Sequence, residues 1–204
     1  MFCGKCGKQI PEGAAFCGGC GARVAPAAQP APAAPVMPQG IKLYLGTSGL
    51  TMINYKFEIK DEYGNVRYKA ATVTESMVRQ KAKVYYPNDV EIFEVFQQSK
   101  MTLTALNYDM IMNGQVITEI LQKNKFSKYV YELPQFGISA DGDFFSWNFE
   151  FTQRGRPVAK VSRKVMSWGD SYELDIYDRN LEMIILAAVI AVELVTIRQR
   201  SRRR

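Results

Sequence analysis

Apolar and polar residues alternate through the middle of the chain with the period of two that is typical of β-strands. Turn-forming sequences rich in Gly, Asn, Asp or Pro separate these runs. Many short strands at close spacing predict a sandwich or a barrel across residues 41–176. The clearest alternating runs are 55–59, 90–96, 147–151 and 171–176, and the turn signals lie at 63–65, 87–89, 113–114, 141–143 and 154–156.

The β-rich region also repeats itself, because residues 108–133 align with residues 149–174. In this alignment Gly114 meets Gly155, and Lys123 meets Lys164. Each unit reads as a strand, a glycine turn, a return strand and a link to the next strand. Repeated meander units of this kind predict a sheet that closes on itself.

The C-terminal region has a different pattern, since every residue from Met183 to Val192 is apolar. At about 100° per residue such a run surrounds the axis of a helix over 181–197, which then has no polar face before Glu193. A helix of this kind is either buried in a protein or crosses a membrane. A span needs about 20 apolar residues, and a carboxylate inside a bilayer is costly. We therefore expect a buried helix, with a membrane anchor as the alternative, and with Asp178 or Asn180 as its N-terminal cap.

The amino-acid composition limits which catalytic and metal-binding chemistry the chain can perform. The chain has 204 residues and no histidine, which removes histidine-dependent triads and imidazole metal ligands. We therefore expect a protein that is not an enzyme. The formal net charge is +6, and most of it comes from a basic tail at 198–204, so the rest of the chain is near neutral. The tail arginines are Arg198, Arg200, Arg202, Arg203 and Arg204.

Two Cys-x-x-Cys pairs lie in residues 1–24: Cys3 with Cys6, and Cys17 with Cys20. Two residues between thiolates allow one tight turn to present both sulfurs to one ion, and the glycine after each pair permits a positive φ. Four thiolates suit one tetrahedral zinc ion, Zn2+. The chain opens without an apolar secretory segment, so we expect a reducing, cytoplasmic setting and metal rather than disulfides.

Residues 25–40 are rich in Pro and Ala, which predicts a semi-extended linker. The expected organisation is a four-cysteine ribbon at 1–24, this linker, a β domain with its central helix at 41–197, and the basic tail. Residues 1–24 resemble the short zinc ribbons found at the N-termini of many bacterial and archaeal proteins. The resemblance implies a structural metal that supplies the folding energy, and such ribbons include both protein binders and nucleic-acid binders.

The β domain contains four motifs: IKDEYGNV at 59–66, GRPVAKVSRK at 155–164, SWGDSY at 167–172 and IAVEL at 190–194. With these motifs, roughly residues 50–197 resemble the LURP-one-related family. The resemblance implies the tubby C-terminal-like fold, which phospholipid scramblases share. We therefore expect a mainly β protein, a closed antiparallel barrel of about a dozen strands around a central C-terminal apolar α-helix.

Other candidate sites are weaker. The sequence Asp141-Gly142-Asp143 lacks the later ligands of a calcium loop, so we interpret it as a turn. Ser167 has no histidine to activate it, and Trp168 fits barrel packing. The arginine tail can contact anionic lipid or nucleic acid, or can serve as a disordered, solubilising end.

Three functional hypotheses follow. The first is a non-catalytic adaptor or scaffold whose ribbon and barrel bind a protein partner or anionic lipid, in the cytoplasm or peripherally at a membrane. The second is a membrane-associated, scramblase-like lipid-handling protein anchored by 181–197. The third, less favoured, is a nucleic-acid-linked regulator that uses the ribbon and the tail. No motif indicates a small-molecule substrate.

Overall fold

The computed structural model describes residues 2, 5–9, 16, 18–21, 40–50, 55–73, 79–98, 105–125, 128–166 and 169–202. The chain divides into two compact units, Met1–Met37 and Pro38–Arg204. Most of the linker predicted at 25–40 lies outside the described residues, as do Ser167 and Trp168. The second unit contains the whole β domain and the C-terminal helix.

Twelve antiparallel strands form one closed barrel in the second unit, in which each strand pairs with its neighbours in sequence and β1 pairs with β12. The predicted mainly β fold, a closed barrel around a C-terminal helix, is therefore confirmed. Strand residues alternate between an inward apolar face and an outward polar face, as a closed barrel requires. The strands are β1 Ile41–Leu50, β2 Tyr55–Lys60, β3 Val66–Val73, β4 Lys81–Tyr85, β5 Glu91–Gln97, β6 Tyr108–Met112, β7 Gln115–Lys125, β8 Lys128–Leu133, β9 Ile138–Asp143, β10 Asn148–Gln153, β11 Arg156–Met166 and β12 Gly169–Ile176.

The sequence repeat corresponds to a repeat in structure. Strands β6, β7 and β8 align with β10, β11 and β12, and β7 and β11 have matching bounds in the alignment. The glycine turns also match, because Gly114 has φ 76° and Gly155 has φ 79°. The residue before each glycine also has a positive φ, 51° at Asn113 and 50° at Arg154. Two successive positive φ angles are what a tight hairpin turn of this hand needs.

The turn predicted at 141–143 is wrong in position, because these residues end strand β9 and the chain turns at 144–147. Gly142 is in a strand because the backbone of β10 passes very close to it. A Cβ at Gly142 would lie 2.6 Å from the Cα of Phe149. Glycine within a strand often marks such a close approach of two backbones. Asp143 instead holds the following turn, accepting hydrogen bonds from the N–H groups of Phe145 and Ser146.

The C-terminal helix α1, Glu182–Arg202, follows a 3-10 turn at Arg179–Leu181. Asp178, one of the two predicted caps of the helix, instead caps this preceding turn by accepting a hydrogen bond of 3.0 Å from the N–H of Asn180. The stretch Arg179–Gln199 is long and apolar enough to cross a membrane by length and composition, but 83% of its most apolar window is buried inside the protein. The helix extends past the predicted end at Ile197, since Gln and Arg are good helix formers and arginines are favourable at a helix C-terminus.

The barrel has two open ends, which we name by the helix. The N-mouth is the end at which α1 begins, and the turns at 61–65, 86–90, 113–114 and 154–155 lie there. The C-mouth is the end at which α1 ends, and it holds the β7–β8 and β9–β10 connections. Strand β1 starts at the N-mouth, so the chain enters the barrel at the end opposite its basic tail.

An ion pair between Glu182 and Arg67 connects the start of α1 to strand β3 at the N-mouth. Glu182 is 6% exposed and accepts hydrogen bonds from Arg67 Nε at 2.8 Å, Arg67 Nη2 at 3.2 Å and the Tyr68 hydroxyl at 2.7 Å. Burial, followed by the hydrogen bond to Glu182, raises the pKa of Tyr68 above its usual value, so the hydroxyl stays protonated and donates. The first residue of the helix is therefore tied to β3, more than a hundred residues earlier in the chain.

We predict that Arg67→Met destabilises the barrel by about 3 kcal/mol, because it leaves the Glu182 carboxylate buried without its cation. The double variant Arg67→Met with Glu182→Leu should recover much of that loss, since both charges are then gone. Urea unfolding of the full chain measures both effects. Lys42→Met is the control, because the Lys42–Asp175 pair is partly exposed and 3.8 Å apart, and we expect a change below about 1 kcal/mol. Equal effects of Arg67→Met and Lys42→Met would contradict the role of the buried pair.

We also predict that two glycine substitutions differ sharply. Gly114→Ala meets no neighbouring atom within 4 Å and should cost only backbone strain, about 1 kcal/mol. Gly142→Ala combines a φ of 139° with its collision against Phe149, and should cost about 3 kcal/mol in all. Thermal unfolding of the two variants tests this difference. A Gly142→Ala protein as stable as Gly114→Ala would show that β10 moves away easily.

Candidate functional site

The ribbon contains the turns that its cysteine pairs predict. Lys5 and Cys6 form a turn that leads into Gly7 at φ 70°, and 18–20 form a second turn that leads into Gly21 at φ 67°. Both glycines use the positive φ expected after the second cysteine of each pair. An antiparallel bridge joins Phe2 to Gln9 across the first turn.

The two turns lie next to each other. A Cβ at Gly19, in the second turn, would lie 2.6 Å from the Cδ of Lys8, which follows the first turn. Cys3 and Cys17 lie outside the described residues; Cys6 and Cys20 lie within them. The residues that the structure describes contain no cluster of three or more potential ligands, because only two of the four cysteines are among them. Adjacent turns and an all-thiol donor set fit a structural zinc ion, which when bound would supply the folding energy of so small a unit.

At the C-mouth, buried glutamines connect the strands to the end of α1. Gln97 is 1% exposed, and its Oε1 accepts hydrogen bonds from the N–H of Gln80 at 3.1 Å and from Arg198 Nη1 at 3.0 Å. Gln80 donates from Nε2 to the carbonyl oxygen of Leu194 at 2.9 Å and accepts a hydrogen bond from the Tyr108 hydroxyl at 2.9 Å. Strands β4, β5 and β6 are thus tied to the last turns of the helix.

A second glutamine connects the neighbouring strands. Gln122, 4% exposed, donates from Nε2 to the Tyr131 hydroxyl at 3.0 Å and accepts a hydrogen bond from the N–H of Leu106 at 2.8 Å. Burial raises the pKa of Tyr108 and of Tyr131. We name Gln80, Gln97 and Gln122 the glutamine girdle. Sequence reasoning missed it, although Gln97 and Gln122 continue the inward series of Phe93–Val95 and of Ile120, which is a detectable signal.

Part of the predicted basic tail belongs to helix α1. Arg198, one of the predicted anion contacts, is half-buried and donates a hydrogen bond to Gln97 of the glutamine girdle, so it also has a structural role. Helix α1 continues to Arg202, which corrects the alternative of a tail disordered from 198 onward. The side chains of Arg200 and Arg202, and all of Arg203 and Arg204, lie outside the described part of the structure. The backbone of Arg200 and Arg202 belongs to the end of α1 at the C-mouth, and Arg203 and Arg204 follow in the sequence.

The N-mouth carries an open cleft of about 440 Å³. Its lining mixes charges, with Asp61, Glu62 and Asp175 facing Lys42, Arg67 and Arg179. Asp61 is already used within its own turn, where its carboxylate accepts hydrogen bonds from Tyr63 and Asn65, and these lower its pKa. The cleft therefore does not favour a ligand of one charge.

Fold and ribbon together define a class of protein, a closed twelve-stranded barrel around one apolar helix, preceded by a zinc ribbon. Residues 41–193 match the LURP-one-related family, and residues 2–24 match the zinc-ribbon domain. Since the first match covers well over half of the chain, this protein belongs to the LURP-one-related family, as the motifs predicted.

One relative is a protein of Bacillus subtilis (strain 168) with the printed name "Uncharacterized protein YxjI". It is 30% identical over 99 residues, which are 48% of this chain and 60% of the relative. No solved structure matches the chain. The family description and the name of the relative assign no catalytic activity.

We predict one zinc ion per chain, measured by native mass spectrometry of the purified full-length protein. Cys3→Ser with Cys6→Ser should lose the ion, because two thiolates cannot complete a tetrahedral site. Lys8→Ala is the matched control in the same unit and should keep it. The barrel should melt at the same temperature in all three proteins, since it is a separate compact unit. Retention of zinc by the double cysteine variant would contradict the ligand assignment.

Proposed function

We propose that this protein is a non-catalytic adaptor that binds an anionic membrane surface with the C-mouth of its barrel and offers its zinc ribbon to a protein partner. The supporting observation is the distribution of charge. Four arginines follow the girdle-bound Arg198 where α1 leaves the barrel, and the exposed lysines Lys123 and Lys128 lie at the same mouth.

Several cations elsewhere on the barrel have carboxylate partners. Lys69 lies 2.8 Å from Asp89, Lys83 lies 2.8 Å from Glu91, and Arg67 is bound to Glu182. Among the residues that the structure describes, Lys123 and Lys128 are in no ion pair. They add to the four arginines that follow Arg198 in the sequence, and a cluster of positive charge of this kind orients a protein on an anionic surface.

The expected affinity of the protein for an anionic membrane is modest. A Lys or Arg near an anionic leaflet contributes about 1 kcal/mol, so four tail arginines contribute about 4 kcal/mol, which alone corresponds to roughly millimolar binding. Association of this kind is reversible and weakens with salt. It suits a cytoplasmic protein that is peripheral at the membrane.

The chain enters the barrel at one end, and the basic segment follows at the other. The chain enters at Gly40 and Ile41, at the N-mouth, whereas the basic segment leaves at the C-mouth. The described part of the chain therefore begins this domain at the mouth opposite the proposed membrane contact. A scramblase-like anchor has less support, because the only candidate span in the described residues is buried inside the barrel.

We predict that the full-length protein co-sediments with vesicles of 30% phosphatidylserine in phosphatidylcholine, and not with pure phosphatidylcholine. Substituting Gln for Arg200, Arg202, Arg203 and Arg204 should weaken that binding at least tenfold and reduce its salt dependence, because four of the attracting charges are removed. Arg198 is kept, since its hydrogen bond belongs to the fold.

The matched controls remove two charges each. Arg203→Gln with Arg204→Gln should weaken binding, whereas Arg154→Gln with Arg156→Gln, at the exposed N-mouth turn, should not. No binding of the unchanged protein to anionic vesicles would overturn the proposal. Tighter binding to a labelled DNA or RNA oligonucleotide than to vesicles at equal salt would favour the nucleic-acid alternative instead.

A further inference from the structure

One exposed phenylalanine at the C-mouth is held rigidly outward. In the β9–β10 turn, Phe144 and Trp147 are buried, 7% and 2% exposed, whereas Phe145 between them is 58% exposed. The Asp143 carboxylate fixes this turn through the N–H groups of Phe145 and Ser146, both at 3.0 Å, and through the Ser146 hydroxyl at 2.6 Å. These hydrogen bonds hold the turn in a conformation that leaves the Phe145 ring exposed to solvent.

The β7–β8 hairpin carries cations at the same mouth of the barrel. The Phe145 ring contacts that of Tyr129 edge-on, with centroids 6.2 Å apart, and Tyr129 follows the exposed Lys128. Lys128 is paired directly across the hairpin with Lys125, and Lys123 is exposed two residues before Lys125.

Comparison within the repeat shows a difference in the ion pairing of one lysine. Lys164 is the counterpart of Lys123 in the second repeat, and it lies 3.3 Å from Glu173 on the neighbouring strand. Lys123 has no such ion pair within the described part of the chain, although Glu132 is the counterpart of Glu173. Both lysines are exposed, but only Lys164 has a carboxylate partner among the described residues.

We infer that Lys123, Lys128, Tyr129 and Phe145 form the contact with an anionic bilayer, with the lysines on headgroup phosphates or carboxylates and the Phe145 ring in the interface. We name these four residues the mouth rim. The inference rests on the proposed function and assigns its membrane contact to residues outside the arginine tail. Aromatic rings are favourable at the level of the headgroups, and lysine is favourable beside anionic lipid.

The rim meets a surface and does not extract a lipid molecule. Behind Tyr129 and Phe145 is a slot that reaches Val192 and Thr196 of the helix, and its volume is about 10 Å³. That is about the space needed for one water molecule, so no acyl chain enters it. A single exposed ring flanked by cations also offers too small an apolar area for a stable protein interface.

The experiment compares rim variants of the full-length protein in the vesicle assay described above. Phe145→Ser should weaken binding about tenfold, and Phe145→Leu should stay close to the unchanged protein because it keeps an apolar side chain for the interface. Val116→Ser is the matched control, since Val116 is 56% exposed at the N-mouth end of β7 and should have no effect. Lys123→Gln with Lys128→Gln should weaken binding at least tenfold, whereas the charge-matched pair Arg154→Gln with Arg156→Gln should not. Thermal unfolding verifies that each variant is folded.

A second measurement reports how deeply the side chain at position 145 enters the bilayer. In the Phe145→Trp variant, the added tryptophan emission should be quenched by brominated phosphatidylcholine in anionic vesicles, beyond the quenching of the unchanged protein. If the unchanged protein binds but the rim variants bind equally well and the added tryptophan is not quenched, the inference is overturned and the proposed function stands on the tail alone. If the unchanged protein does not bind, the proposed function itself fails.

Discussion

The structure depends on the enclosure of one helix. From Leu181 to Val195 all residues of the helical segment but Met183 are buried, and none of its faces is polar enough to meet water. A layer of helices or a single sheet would cover only part of such a helix, whereas a closed barrel covers it on every side and also leaves no exposed sheet edge. Burial at about 25 cal/mol per Å² over so many side chains is the dominant favourable contribution to this fold.

Enclosure creates a second requirement, because the polar groups at both ends of the helix enter the barrel with it. Glu182 is satisfied by Arg67 and Tyr68 at the N-mouth, and the carbonyl of Leu194 is reached by Gln80 at the C-mouth. These contacts set the depth of the helix in the barrel, since a shift along the axis by one residue, about 1.5 Å, would break both. Arg198 belongs to this framework, which separates it in role from the arginines that follow.

The two mouths also differ in ways that bear on function. The N-mouth receives the chain from the linker and carries paired charges and a cleft of mixed sign. At the C-mouth α1 ends, and the exposed lysines Lys123 and Lys128 of the β7–β8 hairpin have no carboxylate partner among the described residues. Zinc ribbon and barrel are separate compact units, so the chain combines two modules that can be altered independently by substitution.

Local sequence determined much of this protein. Four features could be recognised in the sequence, because each depends on short patterns of residues: the cysteine spacing, the glycine turns, the alternating strands and the repeat. The same pattern predicted the closed barrel and the buried helix. Only the tertiary structure decided the rest: that Gly142 lies in a strand under Phe149, that Glu182 meets Arg67, that Gln97 holds Arg198, and that Phe145 lies beside Tyr129. Gly142 and Phe149 pair within one hairpin, whereas the other contacts join segments that are far apart in the chain. A hydrogen bond or contact between distant segments leaves no periodic signal in the sequence.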